Sequence, residues 1–184
     1  MVSNTPLPPQ PTHILETILY TRSMSRAVDF YTNTMNLKCV NANDRNAVYP
    51  LGAGVLLLFQ LGLTITDVEM PNDSGLIPRH GPTEPLLPYL REDEGATKGD
   101  ESLLAAGPAG LTIGGERLRQ HFCFAVGSAG EVDAWDEHLV AKGVEILGRV
   151  RWPDERGRSV YFADPDGNIG EVASRGIWDH LTKA

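Results

Sequence analysis

Hydrophobic and polar positions alternate from Ile14 through Thr21, with Ile18, Leu19 and Tyr20 among Glu16, Thr17 and Thr21. That period of two predicts a strand. The period then changes. Ala27, Val28, Phe30, Tyr31 and Met35 recur at helical spacing, predicting a helix over Met24–Met35 with Ser23 as its cap. Three short strands are predicted next, over Leu37–Asn41, Asn46–Leu51 and Gly54–Gln60. Asn43-Asp44 and Gly52-Ala53-Gly54 supply the turns between them.

The C-terminal part repeats this order. Phe122–Val126 reads as a strand, and Ser128-Ala-Gly-Glu131 as a capping box in which serine and glutamate satisfy free amides reciprocally. Val132, Trp135, Leu139 and Val140 give the following helix one apolar face. Lys142-Gly143 ends it, glycine suiting the left-handed cap. Strands are predicted near Val144–Val150, Arg158–Ala163 and Asn168–Ser174. A shift of 105 aligns Glu16 with His121, Ser23 with Ser128 and Phe30 with Trp135. A shift of 113 aligns Arg45 with Arg158 and Leu58 with Glu171. The fold expected is α+β, built from two βαβββ modules: residues 11–61, then 120–184 with a C-terminal tail, forming one structural domain.

Residues 62–119 form the linker. It carries Pro71, Pro78, Pro82, Pro85 and Pro88 and the acidic run Glu92-Asp93-Glu94. Gly75–Gly81 reads as ordered. Thr83–Gly110 reads as an insertion, in which Leu86, Leu87, Tyr89 and Leu90 could form a short helix.

Composition narrows the function classes. The chain has 184 residues, enough for a real core, and a net charge of −8 without a basic block. Nucleic acid and anionic membranes are therefore not expected partners. The longest apolar run, around Val55–Phe59, is too short to span a bilayer. The polar, proline-rich start reads as no secretion signal, which points to the cytoplasm. Cys39 and Cys123 lie in apolar runs without CxxC spacing and are expected as buried free thiols.

The candidate chemistry lies in three residues. Glu16 sits in an apolar strand, His121 opens the matching strand of the second module, and Glu171 follows the turn Asp164-Pro165-Asp166-Gly167-Asn168. A carboxylate within a buried strand costs several kcal/mol unless it is paired or metal-bound. Two carboxylates and an imidazole at repeat-related positions are explained by one divalent cation: Mn²⁺, Zn²⁺, Ni²⁺, Fe²⁺ or Mg²⁺. His13 is a rival first ligand but stands three residues early with the opposite parity. His80 reads as a linker residue able to touch substrate if the linker folds over. His138 reads as a solvated helix residue. On the strand beside that of Glu171, Arg158 could grip an anionic substrate and Tyr161 could donate a proton. Their odd spacing puts them on opposite faces. Trp152 and Trp178 are expected to pack in the core.

The segments ETILYTRSMSRAVDFY (16–31), HFCFAV (121–126) and YFADPDGNIGEVA (161–173) resemble the vicinal oxygen chelate superfamily, which includes glyoxalase I, fosfomycin-modifying enzymes, extradiol dioxygenases and bleomycin-binding proteins. The resemblance spans both modules but not the insertion. It implies an open eight-stranded cradle with one metal on its concave face, held by Glu16, His121 and Glu171. It places a fourth position, a carboxylate in glyoxalase I, at Leu57 or Leu58, neither of which can coordinate. A homodimer is expected. The expected function is Lewis-acid catalysis on a small vicinally oxygenated substrate, by isomerase or lyase chemistry or by an epoxide-opening transfer. The alternatives are a non-catalytic drug-binding protein of the bleomycin-binding type and a ring-cleaving dioxygenase.

Overall fold

The computed structural model describes residues 10–82, 84, 87 and 120–178. The first module runs β1 (Glu16–Thr21), α1 (Met24–Asp29), β2 (Asn41–Ala42), β3 (Asn46–Leu51) and β4 (Gly54–Gln60). A two-stranded ribbon follows in the linker, β5 (Val68–Glu69) with β6 (Leu76–Ile77). The second module runs β7 (His121–Val126), α2 (Ala129–Ala141), β8 (Ile146–Trp152), β9 (Gly157–Ala163) and β10 (Ile169–Ser174). The calls on Leu86, Tyr89, Leu90 and most of Thr83–Gly110 fall outside the described residues. Leu87 is described and is buried beside Tyr20 and Leu61.

The two sheets have the same plan, β1-β4-β3-β2 and β7-β10-β9-β8. In each, the first strand pairs parallel with the last and the others antiparallel. The α+β expectation of paired βαβββ modules holds. Among the described residues each sheet is four-stranded, with β1 and β7 at the edges.

Two local expectations need correction. The first helix becomes π-helical over Phe30–Thr34. Ser23 gives it no side-chain cap; its amide instead donates to Thr21 Oγ1 at 3.1 Å. The strand expected over Leu37–Asn41 shrinks to Asn41–Ala42. The capping box forms on one side as expected, with Ser128 Oγ accepting from Glu131 N. The Glu131 carboxylate, however, accepts from Gly127 N at 2.7 Å.

One core joins the modules. Leu19, Phe30, Tyr31 and Leu58 pack with Phe122, Val160, Phe162 and Val172. Strand parity explains this. Leu19 on β1, Leu58 on β4 and Phe122 on β7 point to the helix-covered face, leaving the alternate residues on an open face.

A polar clamp holds the modules at one end. Asp164 Oδ1 accepts the amides of Asp166 at 2.9 Å and Asn168 at 2.8 Å, closing the turn, while Tyr31 OH donates to Asp164 Oδ2 at 2.8 Å. Asp166 accepts Thr21 Oγ1–H at 2.5 Å and Arg22 N–H at 2.9 Å, with Arg26 at 3.6 Å. Among the described residues no helix is long and apolar enough to cross a membrane.

Candidate metal centre

β7, β10 and β9 place His121, Cys123, Glu171 and Tyr161 on the open face of the second sheet. The register sets Glu171 between Cys123 on one side and Tyr161 on the other, and sets His121 beside Ile169. Gly170 lets β10 lie this close to the core: a Cβ there would stand 2.2 Å from the Phe162 ring. The preceding turn needs Gly167 at φ +79°.

His121 Nε2 lies 3.5 Å from Glu171 Oε2; the imidazole is half exposed and the carboxylate is 6% exposed. His121 Nδ1 lies 3.0 Å from the Ile169 carbonyl oxygen. An Nδ1–H donating there leaves the Nε2 lone pair facing Glu171. Among the described residues, Glu171 Oε1 is buried and has no hydrogen-bond partner. A buried carboxylate with one oxygen near an oriented imidazole nitrogen and the other without a described partner supplies donors of the kind a divalent cation takes, so these two residues fit the implied metal.

Two neighbours feel this carboxylate. Burial first, then the Glu171 charge, push the Cys123 thiol up to about 12, although the residue as a whole is exposed. Burial, then the Glu171 charge, raises the Tyr161 hydroxyl above its ordinary value, with Ser159 opposing. The Tyr161 ring stacks on His121 with centroids 6.1 Å apart. The expectation of two buried thiols fails for Cys123, which faces the site. Its parity with His121, two positions along one strand, was the signal for this.

Arg158 is not part of this cluster. It lies on the helix-covered side of β9 and ion-pairs with Asp133 of α2, while Tyr161 faces the open side. Parity thus separates the two as expected, and Tyr161 is the one that reaches Glu171. Glu16 begins β1 on the open face of the first sheet and is exposed. Among the described residues of one chain, no group of three His, Cys, Asp or Glu side chains is placed to hold a metal. A single chain therefore brings His121 and Glu171 together and leaves Glu16 apart.

Register also settles the fourth position. Glu16 pairs with Val55 as His121 pairs with Ile169, so the counterpart of Glu171 is Leu57. Leu57 is half-buried on the open face, whereas Leu58 is 1% exposed in the core. The 113-residue shift, which set Leu58 against Glu171, is one short at this strand.

The remaining candidates have structural duties. His80 Nδ1 hydrogen-bonds Tyr20 OH at 2.7 Å, and Thr64 Oγ1 donates to the His80 carbonyl at 2.7 Å, fastening the linker to β1. Contrary to expectation, His138 is tied to the Thr34 carbonyl at 2.8 Å. His13 is exposed and hydrogen-bonds Thr12. Trp152 packs half-buried with its indole N–H on Ser159 Oγ at 2.9 Å, but Trp178 is 60% exposed and does not fill the core.

The duplicated βαβββ scaffold, with a His–Glu pair on one sheet face, defines the fold class of the chain. The profile of the Glyoxalase/Bleomycin resistance protein/Dioxygenase superfamily matches residues 11–172, and the chain belongs to that superfamily. It is 36% identical over 62 residues to the metallothiol transferase FosB of Shouchella clausii (strain KSM-K16). That match takes in 33% of this chain and 42% of the relative's length. Its fold is similar to that of lactoylglutathione lyase from Agrobacterium tumefaciens, with TM-score 0.63 and 27% identity over 91% of this chain and 97% of the other. It is also similar to the fosfomycin resistance protein FosX of Listeria monocytogenes, with TM-score 0.54 and 15% identity over 90% and 94% of the two chains. At that identity the likeness shows the fold alone.

Proposed function

We propose that the protein is a metal-dependent enzyme acting on a small vicinally oxygenated substrate by Lewis-acid catalysis. The observation that carries this reading is Glu171, whose buried Oε1 has no hydrogen-bond partner among the described residues and whose Oε2 lies 3.5 Å from His121 Nε2. Evolution keeps such an oxygen out of water only when something else satisfies it. Of the reactions expected from the sequence, lyase and transferase chemistry correspond to the words in the relatives' names.

His121 and Glu171 would hold one divalent ion (Mn²⁺, Zn²⁺, Ni²⁺, Fe²⁺ or Mg²⁺), with Glu16 of a second copy as third ligand. Among the described residues Glu16 is exposed on β1, an edge strand, and stands outside the pair in its own chain. A homodimer that sets β1 of one copy beside β7 of the other completes the set. Held there, a divalent ion would supply Lewis-acid stabilisation of negative charge developing on the substrate. The protein's own groups do the rest. Tyr161, protonated at neutral pH and beside Glu171, holds a proton for a substrate oxygen. Ile18, Val48, Leu57 and Phe59, half-buried on the open face of the first sheet, exclude water from one side of the substrate. The free thiols suit a reducing compartment such as the cytoplasm.

Sequestration of a drug without metal is the weaker reading, because it leaves the Glu171 oxygen unexplained. Metal content after Mn²⁺ loading tests the proposal. Near one ion per chain is expected, lost in Glu171→Ala and weakened in Glu16→Gln. Metal content unchanged in Glu171→Ala rejects it.

A further inference from the structure

On the helix-covered side, opposite the face that carries His121 and Glu171, a cavity of about 530 Å³ opens between α2 and the end of the first helix. It is lined by Asn33, Asn36, Glu131, Ala134, Trp135 and His138. Nothing in the proposed chemistry uses it. Spacing on α2 explains the wall. Glu131, Trp135 and His138 follow one another at helical intervals and share one side of α2, while Val132 and Leu139 are buried in the core. Ala134, with a single methyl group, leaves room between them. His138 spans the gap to the first module, its Nε2–H donating to the Thr34 carbonyl at 2.8 Å. Its ring meets that of Trp135 edge to face, with centroids 5.4 Å apart.

The groups left over on this wall suit a cation. Glu131 Oε2 accepts Gly127 N–H at 2.7 Å, and among the described residues Oε1 makes no hydrogen bond. Asn33 Nδ2 donates to Asp29 Oδ1 at 2.7 Å, and among the described residues the Asn33 Oδ1 acceptor is not engaged. No lysine or arginine lines the cavity, so nothing there balances the Glu131 carboxylate. The chain's net charge of −8 adds to the attraction for a positive ligand. A half-buried indole beside a carboxylate and an amide oxygen is the chemistry that holds an organic ammonium, because the negative ring face and the carboxylate both attract positive charge. A neutral polyol would need donors as well, and those of His138 Nε2 and Asn33 Nδ2 are already in use. We propose that this cavity binds a small organic ammonium ion, held against the Trp135 indole with Glu131 as its counter-charge. The site is independent of the metal reading.

Choline is the probe. Its control is neohexyl alcohol, the isostere in which carbon replaces the charged nitrogen. Saturation-transfer NMR on the methyl protons, titrated against the full chain in EDTA, gives both dissociation constants. Choline is expected to bind at about 1 mM or tighter, and the alcohol about tenfold more weakly or worse. Glu131→Gln keeps an acceptor for Gly127 N–H. It should weaken choline by about tenfold and leave the alcohol within about twofold. Trp135→Leu should weaken choline by about tenfold or more. Trp135 also packs against the core, so thermal melting checks that variant, and Glu131→Gln decides the matter if Trp135→Leu fails to fold. Equal affinity for choline and the alcohol, choline affinity unchanged in Glu131→Gln, or a wild type that binds no choline at about 10 mM overturns the proposal.

Discussion

Replacing Glu171 by methionine sets stability against metal binding at one atom. Among the described residues Glu171 Oε1 is buried without a partner. An unsatisfied buried polar group costs about 1–3 kcal/mol. Methionine has similar reach, fills the same space and needs no partner. The change also removes the His121–Glu171 contact, but His121 is 53% exposed and the separation is 3.5 Å. Such a pair contributes about 0–1 kcal/mol. The difference favours the variant by up to about 3 kcal/mol, which for a chain of this size raises Tm by as much as roughly 12 °C. Metal reverses the order. At a free concentration of 100 times Kd, wild type gains about 2.7 kcal/mol and the variant gains nothing. Thermal unfolding in EDTA and in saturating Mn²⁺ gives the four numbers required. An EDTA-treated Glu171→Met protein less stable than wild type by about 1 kcal/mol or more refutes the reasoning. It would mean that the carboxylate already has a partner.

Three further outcomes are expected. Asp166→Ala strips the acceptor from Thr21 Oγ1 and Arg22 N, both donors at buried or half-buried positions, and removes the 3.8 Å Arg22–Asp166 ion pair. A loss of about 3–5 kcal/mol should appear in urea as a lower midpoint with an unchanged m-value. Leu57→Glu puts a carboxylate at the counterpart of Glu171 on a half-exposed position. Fluorescence-monitored titration should show Mn²⁺ binding tightened by about tenfold or more, and unchanged affinity would place Leu57 away from the ion. Burial raises the Asp164 carboxyl above its ordinary value, against opposing hydrogen bonds from Asn168 and Tyr31. The folded state thus takes up a proton before the unfolded chain, so this group's contribution to stability falls as pH rises from about 4 through its raised pKa. The stability of wild type minus that of Asp164→Asn should therefore decline with pH across that window, and a flat or rising difference contradicts it.

The sequence by itself determined the elements and their duplication. Alternation places Leu19 and Phe122 on one face and Glu16, His121 and Cys123 on the other, because successive strand side chains point opposite ways whatever the surroundings. Asn46–Leu51 and Gly54–Gln60 were legible to the residue, since Gly and Asn mark the turns that bound them. The Leu37–Asn41 strand was not, because an apolar run says what is buried and not whether a neighbouring strand pairs with it. Nor could hydropathy reveal that Arg158 is drawn to Asp133 or His138 to the Thr34 carbonyl, which are separated along the chain by 25 and 104 residues. Only the tertiary structure decided that Leu57 rather than Leu58 matches Glu171, because lateral register depends on hydrogen bonds between β1 and β4. It also decided that one chain unites His121 with Glu171 and leaves Glu16 on an open edge. Distances between residues far apart in sequence follow from how the modules pack, and no pattern along the chain encodes them.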